Sequence, residues 1–338
     1  MTNPAEKFTD ASAHTNPYLG LLVDGRYRVE DVIGEGGMGI VFRVRHVRLE
    51  SDLAMKVCRV RFQGNPRALA QFEEEARIAA RIESPHVVGV RDFGLLGCGS
   101  LYSVMEFVDG ISLARHLSPG RALPVERAAF YARQICDGLA AVHNAGIVHR
   151  DLKPGNVMLS ARDGRELVRI IDFGIAHALE LTDEIRRSHR IVGTPVYMAP
   201  EQCLGRVVDT RADIYSLGVM LFEMTTGRVP FDAPSVVDIM ARQMNEPPPR
   251  PSTLNPEIPR ALDETILACL EKSPKNRVQS ATKLAARLDE HTRSRAISFV
   301  RAKARRPSDV AETLDAYGDT ALETLSAVSR VEVRKRLA

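Results

Sequence analysis

A glycine-rich loop lies between two segments that have the pattern of β-strands. The loop reads GEGGMGIVF over residues 34–42, and its G-x-G-x-x-G spacing fits either a dinucleotide-binding turn or a loop that covers the phosphates of ATP. A dinucleotide fold needs a helix to open at the loop, so that its N-terminal amides face the pyrophosphate. Instead, IVFRVRHV at 40–47 mixes β-branched and aromatic residues with arginines, and YRVEDVIG at 27–34 alternates apolar and charged positions. We predict that the glycines join two antiparallel strands.

One residue favours the dinucleotide alternative. Asp52 lies about where an acid that binds the ribose of a dinucleotide would be expected. We interpret Asp52 as a turn residue. A dinucleotide-dependent oxidoreductase is therefore the weaker interpretation, because no helix pattern opens at Gly39.

Length, composition and charge set the outer limits of the fold and of the binding partners. The 338 residues allow one large or two modest domains, and a net charge of +3 with 5% aromatic residues offers little for nucleic-acid binding. Five scattered cysteines give neither a zinc pair nor a disulfide framework. The chain lacks a signal-peptide pattern, and its most apolar stretch, residues 214–222, reads as a buried core helix. We expect a cytoplasmic protein that binds neither nucleic acid nor membrane.

A lysine and a glutamate are predicted to meet in the interior. LAMKV at 53–57 places Lys56 in a strand. The segment 67–83 has helical periodicity, and of its three consecutive acids only Glu75 projects onto the apolar face. An unpaired carboxylate would be costly there, so we predict that Lys56 is its partner.

Five motifs follow one another in an order and spacing that define a family. They are GEGGMGIVF, Lys56 in LAMKV, HRDLKPGN at 149–156, DFG at 172–174 and APE at 199–201. In these motifs the chain resembles the protein kinases, specifically bacterial serine/threonine kinases of the eukaryotic type. The resemblance implies an α+β, bilobal protein kinase fold, with a small antiparallel β-sheet lobe, a larger and mainly helical lobe, and ATP in the cleft between them.

The resemblance also implies domain boundaries. The kinase domain is expected over residues 26–291, divided into a small lobe, 26–108, and a large lobe, 109–291. A flexible N-terminal segment, 1–25, precedes it, and a partly helical tail, 292–338, follows it. Within the large lobe, the proline-rich run PPPRPSTLNPEIPR is expected to form a rigid connection between helices rather than a ligand for another domain.

Catalytic roles follow from the same resemblance. Asp151 would accept or orient the proton of the attacking hydroxyl group. Lys153 would approach the transferred phosphate, as the matching lysine does in serine/threonine kinases. Thr194 would hydrogen-bond near Asp151 and shape the substrate pocket. Serine and threonine hydroxyl groups of proteins are therefore the expected substrates.

The cofactors implied are ATP and Mg²⁺ or Mn²⁺. Asn156 and Asp172 would supply oxygen ligands to the metal ion, and Lys56, held by Glu75, would neutralise the α- and β-phosphates. Met105 would screen the back of the adenine pocket. The residues expected around the nucleotide are Gly34, Glu35, Gly36, Gly37, Met38, Gly39, Val41, Ala54, Lys56, Met105, Glu106, Val108 and Asn156, with Glu106 and Val108 offering backbone hydrogen bonds.

The activation segment is expected from Asp172 to Glu201, and its polar middle carries two candidate phosphorylation sites, Ser188 and Thr182. We prefer Ser188. Its phosphate would pair with Arg150 and order the segment, or would pair with the arginines beside it. A transient homodimer is one route for such autophosphorylation.

Two further pairings are expected to be structural. Glu201 would pair with Arg277, and Asp213 would anchor the catalytic loop from the start of the apolar helix.

An ATP-dependent serine/threonine protein kinase is the resulting interpretation. The alternative is a catalytically silent pseudokinase scaffold, whose mark would be the loss of one of the residues required for transfer, and none of these is lost: Lys56, Asp151, Asn156 and Asp172.

Overall fold

The computed structural model describes residues 16–36, 39–61, 66–162, 165–172 and 195–290. These residues form two lobes. The small lobe consists of a six-stranded antiparallel sheet and one helix, and the large lobe consists of the elements that follow along the chain, which are mainly helices.

The sheet of the small lobe has the strand order β1-β2-β3-β4-β6-β5, and every neighbouring pair is antiparallel. Helix α1 lies between β4 and β5 in the chain. The elements are β1 (Leu22–Val23), β2 (Tyr27–Gly36), β3 (Gly39–His46), β4 (Ser51–Arg61), α1 (Pro66–Ala79), β5 (Val90–Leu95) and β6 (Ser100–Glu106).

The large lobe combines helices with a three-stranded sheet of order β7-β8-β9. Its strands are β7 (Ile111–Ser112), β8 (Val157–Arg162) and β9 (Arg165–Ile170). Its helices are α2 (Leu113–His116), α3 (Val125–Asn144), α4 (Pro200–Cys203), α5 (Arg211–Thr226), α6 (Val236–Asn245), α7 (Pro251–Leu254), α8 (Arg260–Cys269) and α9, which is described over residues 281–290.

The predicted hairpin around the glycine loop is confirmed. Strands β2 and β3 pair antiparallel, with Val29 opposite Val44 and Gly36 opposite Gly39. At Gly39 a Cβ atom would lie 2.3 Å from the carbonyl oxygen of Val57 on β4. Only glycine therefore lets β3 approach β4 this closely at this position. Strand β3 accordingly begins at Gly39.

The interpretation of Asp52 as a turn residue is wrong. Residues 47–50 make the turn, and Asp52 lies in β4, directly opposite Arg45 on β3. Its carboxylate accepts hydrogen bonds from Arg43 and, at 3.1 Å, from Arg45. Cross-strand pairing with two arginines explains a carboxylate at a strand position.

The expected boundary of the N-terminal segment also needs correction. Residues 16–25, the described part of the segment expected to be flexible, lie against the small lobe. Strand β1 pairs with β2, Val23 is buried, and the rings of Tyr18 and Phe42 lie 5.5 Å apart. These residues cover apolar side chains of the sheet that would otherwise face water. The other expected boundaries stay predictions.

The large lobe is organised around α5. The prediction of a buried core helix over 214–222 is confirmed, since every residue of that stretch is buried. The helix ends at Gly227, whose left-handed backbone (φ 76°) suits glycine. The proline-rich connection after α6 also runs between helices as expected, and it contains the short helix α7.

A buried ion pair joins α4 to the segment that precedes α9. The guanidinium of Arg277 donates two hydrogen bonds to the carboxylate of Glu201, at 2.7 and 3.0 Å, and its side chain is 0% exposed. It also donates to the carbonyl oxygens of Arg211, Glu271 and Lys272. One arginine thus donates hydrogen bonds to five oxygen atoms and links three segments of the lobe.

Replacing Arg277 by methionine is expected to lower the free energy of unfolding by roughly 3–5 kcal/mol, because the carboxylate of Glu201 stays buried without its partner. Urea unfolding followed by circular dichroism measures the change. The matched control is Arg260→Met, which breaks the exposed Arg260–Glu264 pair and should alter stability little. Equal effects of the two substitutions would contradict a stabilising role for the buried pair.

Candidate active site

The catalytic loop, residues 149–156, connects α3 to β8 and is held from the large-lobe core. Asp213, in the first turn of α5, is 0% exposed. Its carboxylate accepts hydrogen bonds from the backbone N–H groups of His149 and Arg150, both at 2.8 Å, and from Nε2 of His143 at 2.7 Å. Three donors around one buried carboxylate fix the start of the loop.

One residue of the loop and one residue beside it adopt a left-handed backbone that non-glycine residues rarely take. Arg150 has φ 65° and Asp172 has φ 59°. Such conformations cost free energy and persist only where the surrounding contacts determine them. The hydrogen bond from the Arg150 N–H to Asp213 is one of those contacts. Arg150 directly precedes Asp151, and Asp172 is itself a predicted metal ligand.

Asp151, Lys153 and Asn156 form one hydrogen-bonded cluster. Nζ of Lys153 lies 2.7 Å from Oδ2 of Asp151. A short 3-10 helix, Pro154–Asn156, turns Asn156 back, so that its Nδ2 donates to the backbone oxygen of Asp151 at 2.8 Å and to its Oδ2 at 3.1 Å. Because the amide nitrogen is used in this way, the amide oxygen is the atom left for the predicted role of Asn156 as a metal ligand.

Lys56 and Asp172 bring the two lobes together at the cleft. Nζ of Lys56, on β4, lies 3.0 Å from Oδ2 of Asp172, and both side chains are at most 15% exposed. Burial acts to lower the pKa of Lys56, but the charge and hydrogen bond of Asp172, with smaller contributions from Cys58 and Asp151, raise it above its ordinary value. Lys56 therefore stays a cation in the cleft.

The partner predicted for Lys56 is Glu75, whose side chain lies outside the described residues. Its backbone lies in α1. Five further expected residues also lie outside the described part of the chain: Gly37 and Met38 of the glycine loop, Thr194, and the two phosphorylation candidates Thr182 and Ser188. Their predicted roles stay predictions.

An apolar cluster lies between the lobes. Ala54, Val88 and Met105 are buried together, and Val41, Val108 and Ile171 pack against them. The structure thus brings together four of the apolar residues that were expected around the nucleotide: Val41, Ala54, Met105 and Val108. Val88 and Ile171 were missed by sequence reasoning. The position of Ile171 immediately before DFG was a usable signal, whereas nothing in the sequence marks Val88.

The last residue of β6, Glu106, forms an ion pair with the large lobe. The carboxylate of Glu106 pairs with Arg91 on β5 and with Arg169 on β9, and its backbone N–H donates to the carbonyl oxygen of Gly89 at 3.1 Å. Burial acts to raise the pKa of Glu106, but Arg169 and then Arg91 lower it below its ordinary value. These contacts position the backbone of 106–108, which is predicted to bind adenine.

The remaining expected glycine-loop residues lie where the hairpin turns. Gly34, Glu35 and Gly36 end β2, and Gly39 begins β3. Val41 stands directly opposite Lys56 in the pairing of β3 with β4. The strand that leaves the glycine loop, β3, therefore lies beside the strand that carries the lysine.

The segment Pro195–Tyr197 lies against α5 and α6 through polar contacts that sequence reasoning missed. The hydroxyl of Tyr197 donates to Oε2 of Glu223 at 2.7 Å, and Nε2 of Gln243 donates to the carbonyl oxygens of Pro195 and Val196. Burial raises the pKa of Glu223, and the hydrogen bond from Tyr197 acts to lower it. No motif marks these residues.

The donor set suits ATP and a divalent metal ion. Asp172 and Asn156 offer a carboxylate and an amide oxygen, the hard ligands that such ions prefer. The buried ammonium of Lys56 offers a charge for phosphate, and the apolar cluster offers a surface for a flat heterocycle.

Comparison with known proteins gives the family. A family model of the protein kinase domain matches residues 27–288. This chain belongs to the protein kinase family, and its bilobal kinase fold, as expected, is confirmed. The family implies ATP and a divalent metal ion as cofactors and proteins as substrates.

Individual relatives agree with this assignment. The chain is 38% identical over 280 residues to the serine/threonine-protein kinase pkn3 of Myxococcus xanthus. The aligned region covers 81% of this chain and 51% of that protein. It is 38% identical over 277 residues to the serine/threonine-protein kinase PknB of Mycobacterium leprae, covering 81% and 43%. The matched part thus spans about half or less of these relatives.

A solved structure is similar as well. The kinase domain of PknI from Mycobacterium tuberculosis superposes with a TM-score of 0.64 and 28% identity, covering 80% of this chain and 98% of that one. In the part of the chain that the structure describes, no helix has the length and apolar character needed to cross a membrane.

Glu223→Gln is expected to change how stability depends on pH. Between the ordinary carboxyl pKa of 4.5 and its raised value in the fold, the folded state holds a proton that the unfolded state has lost, so the free energy of unfolding falls as pH rises. Glutamine does not titrate. The stability of the variant relative to the wild type should therefore be higher at about pH 8 than at about pH 5.

Urea unfolding of both proteins at the two pH values measures this difference. Tyr197→Phe provides a second test, because it removes the hydroxyl that lowers the pKa of Glu223 and should move the loss of stability to higher pH. A difference between Glu223→Gln and the wild type that is the same at both pH values would contradict the assignment of this titration.

Proposed function

We propose that this chain is an ATP-dependent serine/threonine protein kinase, which transfers the γ-phosphoryl group of ATP to serine and threonine hydroxyl groups of proteins. The observation that carries the proposal is the convergence at one cleft of four groups that phosphoryl transfer needs: Lys56, Asp151, Asn156 and Asp172. The domain expected over 26–291 contains all of them.

Nucleotide binding would use both lobes. The adenine ring would lie among Val41, Ala54, Met105 and Val108, with the backbone of Glu106 and Val108 as its hydrogen-bonding edge. The glycine loop would cover the phosphates, because residues without a Cβ atom let the backbone approach them closely. Lys56 would neutralise phosphate charge, with Glu75 as its second partner.

Asn156 and Asp172 would hold Mg²⁺ or Mn²⁺ through their side-chain oxygens. Bound ATP would supply the phosphoryl group, and the metal ion would offset the negative charge of its phosphates. Both ligand residues are fixed before binding, Asn156 by its donation to Asp151 and Asp172 by its contact with Lys56.

Asp151 would receive or orient the proton of the substrate hydroxyl at its carboxylate. Lys153, 2.7 Å from that carboxylate, would stabilise negative charge on the group in transfer. A lysine at this position, together with Thr194, supports serine and threonine as acceptors. The serine/threonine kinase names of the two relatives support the same choice.

Regulation would act through the activation segment. Ser188 is our preferred autophosphorylation site and Thr182 is the alternative, with Arg150 as the cation that pairs with the phosphate. Nε of Arg150 is buried and has no hydrogen-bond partner among the described residues. A phosphate oxygen would satisfy it. A transient homodimer would allow one chain to phosphorylate another, and a cytoplasmic location stays a prediction.

Transfer of labelled γ-phosphate from ATP to the chain and to a generic basic protein tests the function. With Mg²⁺ or Mn²⁺, the wild type should label serine or threonine, and mapping the label distinguishes Ser188 from Thr182. Asp151→Asn should lower the rate by roughly 10²–10⁴-fold, because it removes the proton acceptor. Lys56→Met should also fail to transfer labelled phosphate, because the phosphates of ATP lose the cation that neutralises them.

Lys275→Met, at an exposed lysine, is the matched control and should label normally. Label in Asp151→Asn as strong as in the wild type would contradict the assigned role of this carboxylate. No label on the wild type with either metal ion would favour the alternative, a pseudokinase scaffold.

A further inference from the structure

Gln202, in α4, forms a bridge between two backbone groups that are far apart in the chain. Its Oε1 accepts a hydrogen bond from the N–H of Ala199 at 3.0 Å. Its Nε2 donates to the carbonyl oxygen of Arg150, in the catalytic loop, at 2.7 Å. One half-buried amide thus connects the end of the activation segment to the catalytic loop.

The Arg150 carbonyl is a sensitive place for such a contact. It belongs to the peptide unit whose nitrogen is that of Asp151, and a peptide unit is planar, so fixing the carbonyl also fixes the orientation of the Asp151 N–H. That N–H points to the backbone oxygen of His149 at 2.9 Å. Gln202 therefore contacts the carbonyl group that is bonded to the nitrogen of Asp151, the residue predicted to take the proton.

Residue 150 is also the point of the loop where the backbone is strained. Its φ of 65° is costly for arginine, and the conformation is held from both sides. Asp213 accepts from the N–H of Arg150, and Gln202 donates to its carbonyl oxygen. Without the second contact, the peptide unit between Arg150 and Asp151 would lose the hydrogen bond at its carbonyl group and would keep only those from its N–H to His149.

We propose that Gln202 is a positioning residue for phosphoryl transfer, which orients Asp151 through the carbonyl group of Arg150. This inference rests on the proposed kinase function. It gives the segment that follows the activation loop a direct influence on the geometry of the catalytic carboxylate, because α4 begins immediately after Ala199.

A glutamate at this position separates positioning from helix capping. Gln202→Glu keeps an oxygen that accepts from the N–H of Ala199 at the start of α4. It replaces the N–H donor that faces the carbonyl of Arg150 by a second oxygen, which cannot donate. The variant therefore preserves the cap and breaks the bridge to the catalytic loop.

Gln134 offers a matched control in the same lobe. This 8% exposed glutamine on α3 also bridges two backbone groups, accepting from the N–H of Val168 at 3.0 Å and donating to the carbonyl of Glu166 at 3.3 Å. Gln134→Glu makes the same change of atoms at a bridge to Glu166 and Val168 of β9, neither of which has a role in the proposed site. Any general effect of the new carboxylate appears in both variants.

Steady-state phosphorylation of a basic protein with Mg·ATP tests the proposal. Gln202→Glu should lower kcat by about 10–100-fold, because misplacing a reacting group carries a penalty of this size. Its KM for ATP and its Tm should stay at wild-type values, and Gln134→Glu should keep the wild-type kcat. A wild-type kcat for Gln202→Glu, or an equal loss in both variants, would overturn the proposal.

Amide hydrogen exchange of residues 149–153 gives a result that does not need turnover. Faster exchange in Gln202→Glu than in the wild type and in Gln134→Glu supports the positioning role, and unchanged exchange overturns it. If the wild type transfers no phosphate, the proposed kinase function fails by itself, and the exchange measurement still decides whether Gln202 orders the loop.

Discussion

The buried carboxylate of Asp213 is the interaction on which the geometry of the active site depends. It lies in the first turn of α5, the helix buried on all sides in the large-lobe core. An unpaired carboxylate at 0% exposure would be prohibitively costly, so its three hydrogen bonds are obligatory rather than incidental. Two of them go to the backbone of His149 and Arg150. The start of the catalytic loop is therefore held in place by the buried core helix.

The rest of the site follows from that anchor by short steps along the chain. Nε2 of His149 lies 3.2 Å from the carbonyl oxygen of Ile171, and the N–H of Ile171 donates to the carbonyl of Asn156 at 2.9 Å. These contacts fix the backbone just before Asp172, which meets Lys56 of the small lobe. Core packing in one lobe thus places a carboxylate against a lysine of the other. Such preorganisation is what phosphoryl transfer requires, because the protein contributes mainly position and charge.

The sequence predicted those parts of the molecule that local pattern determines. Alternating strands around the glycines predicted the β2–β3 hairpin, and an unbroken apolar run predicted the buried helix, because each pattern reports burial of one face or of all faces. Asp52 was misread because its arginine partners lie on the neighbouring strand. Residues 16–25 were misread because only the assembled sheet presents the apolar surface that they cover. The bridge made by Gln202 was invisible for the same reason, since its partner lies 52 residues away.

The measurement that most directly tests the dependence of the site on its anchor is the kinetics of Asp213→Asn. The amide keeps one oxygen acceptor but turns an N–H group toward backbone donors, so it should displace the loop. If the anchor positions Asp151, the variant should lose phosphoryl transfer by about 100-fold or more, while circular dichroism shows that it stays folded. A folded Asp213→Asn protein that transfers phosphate at the wild-type rate would contradict this dependence.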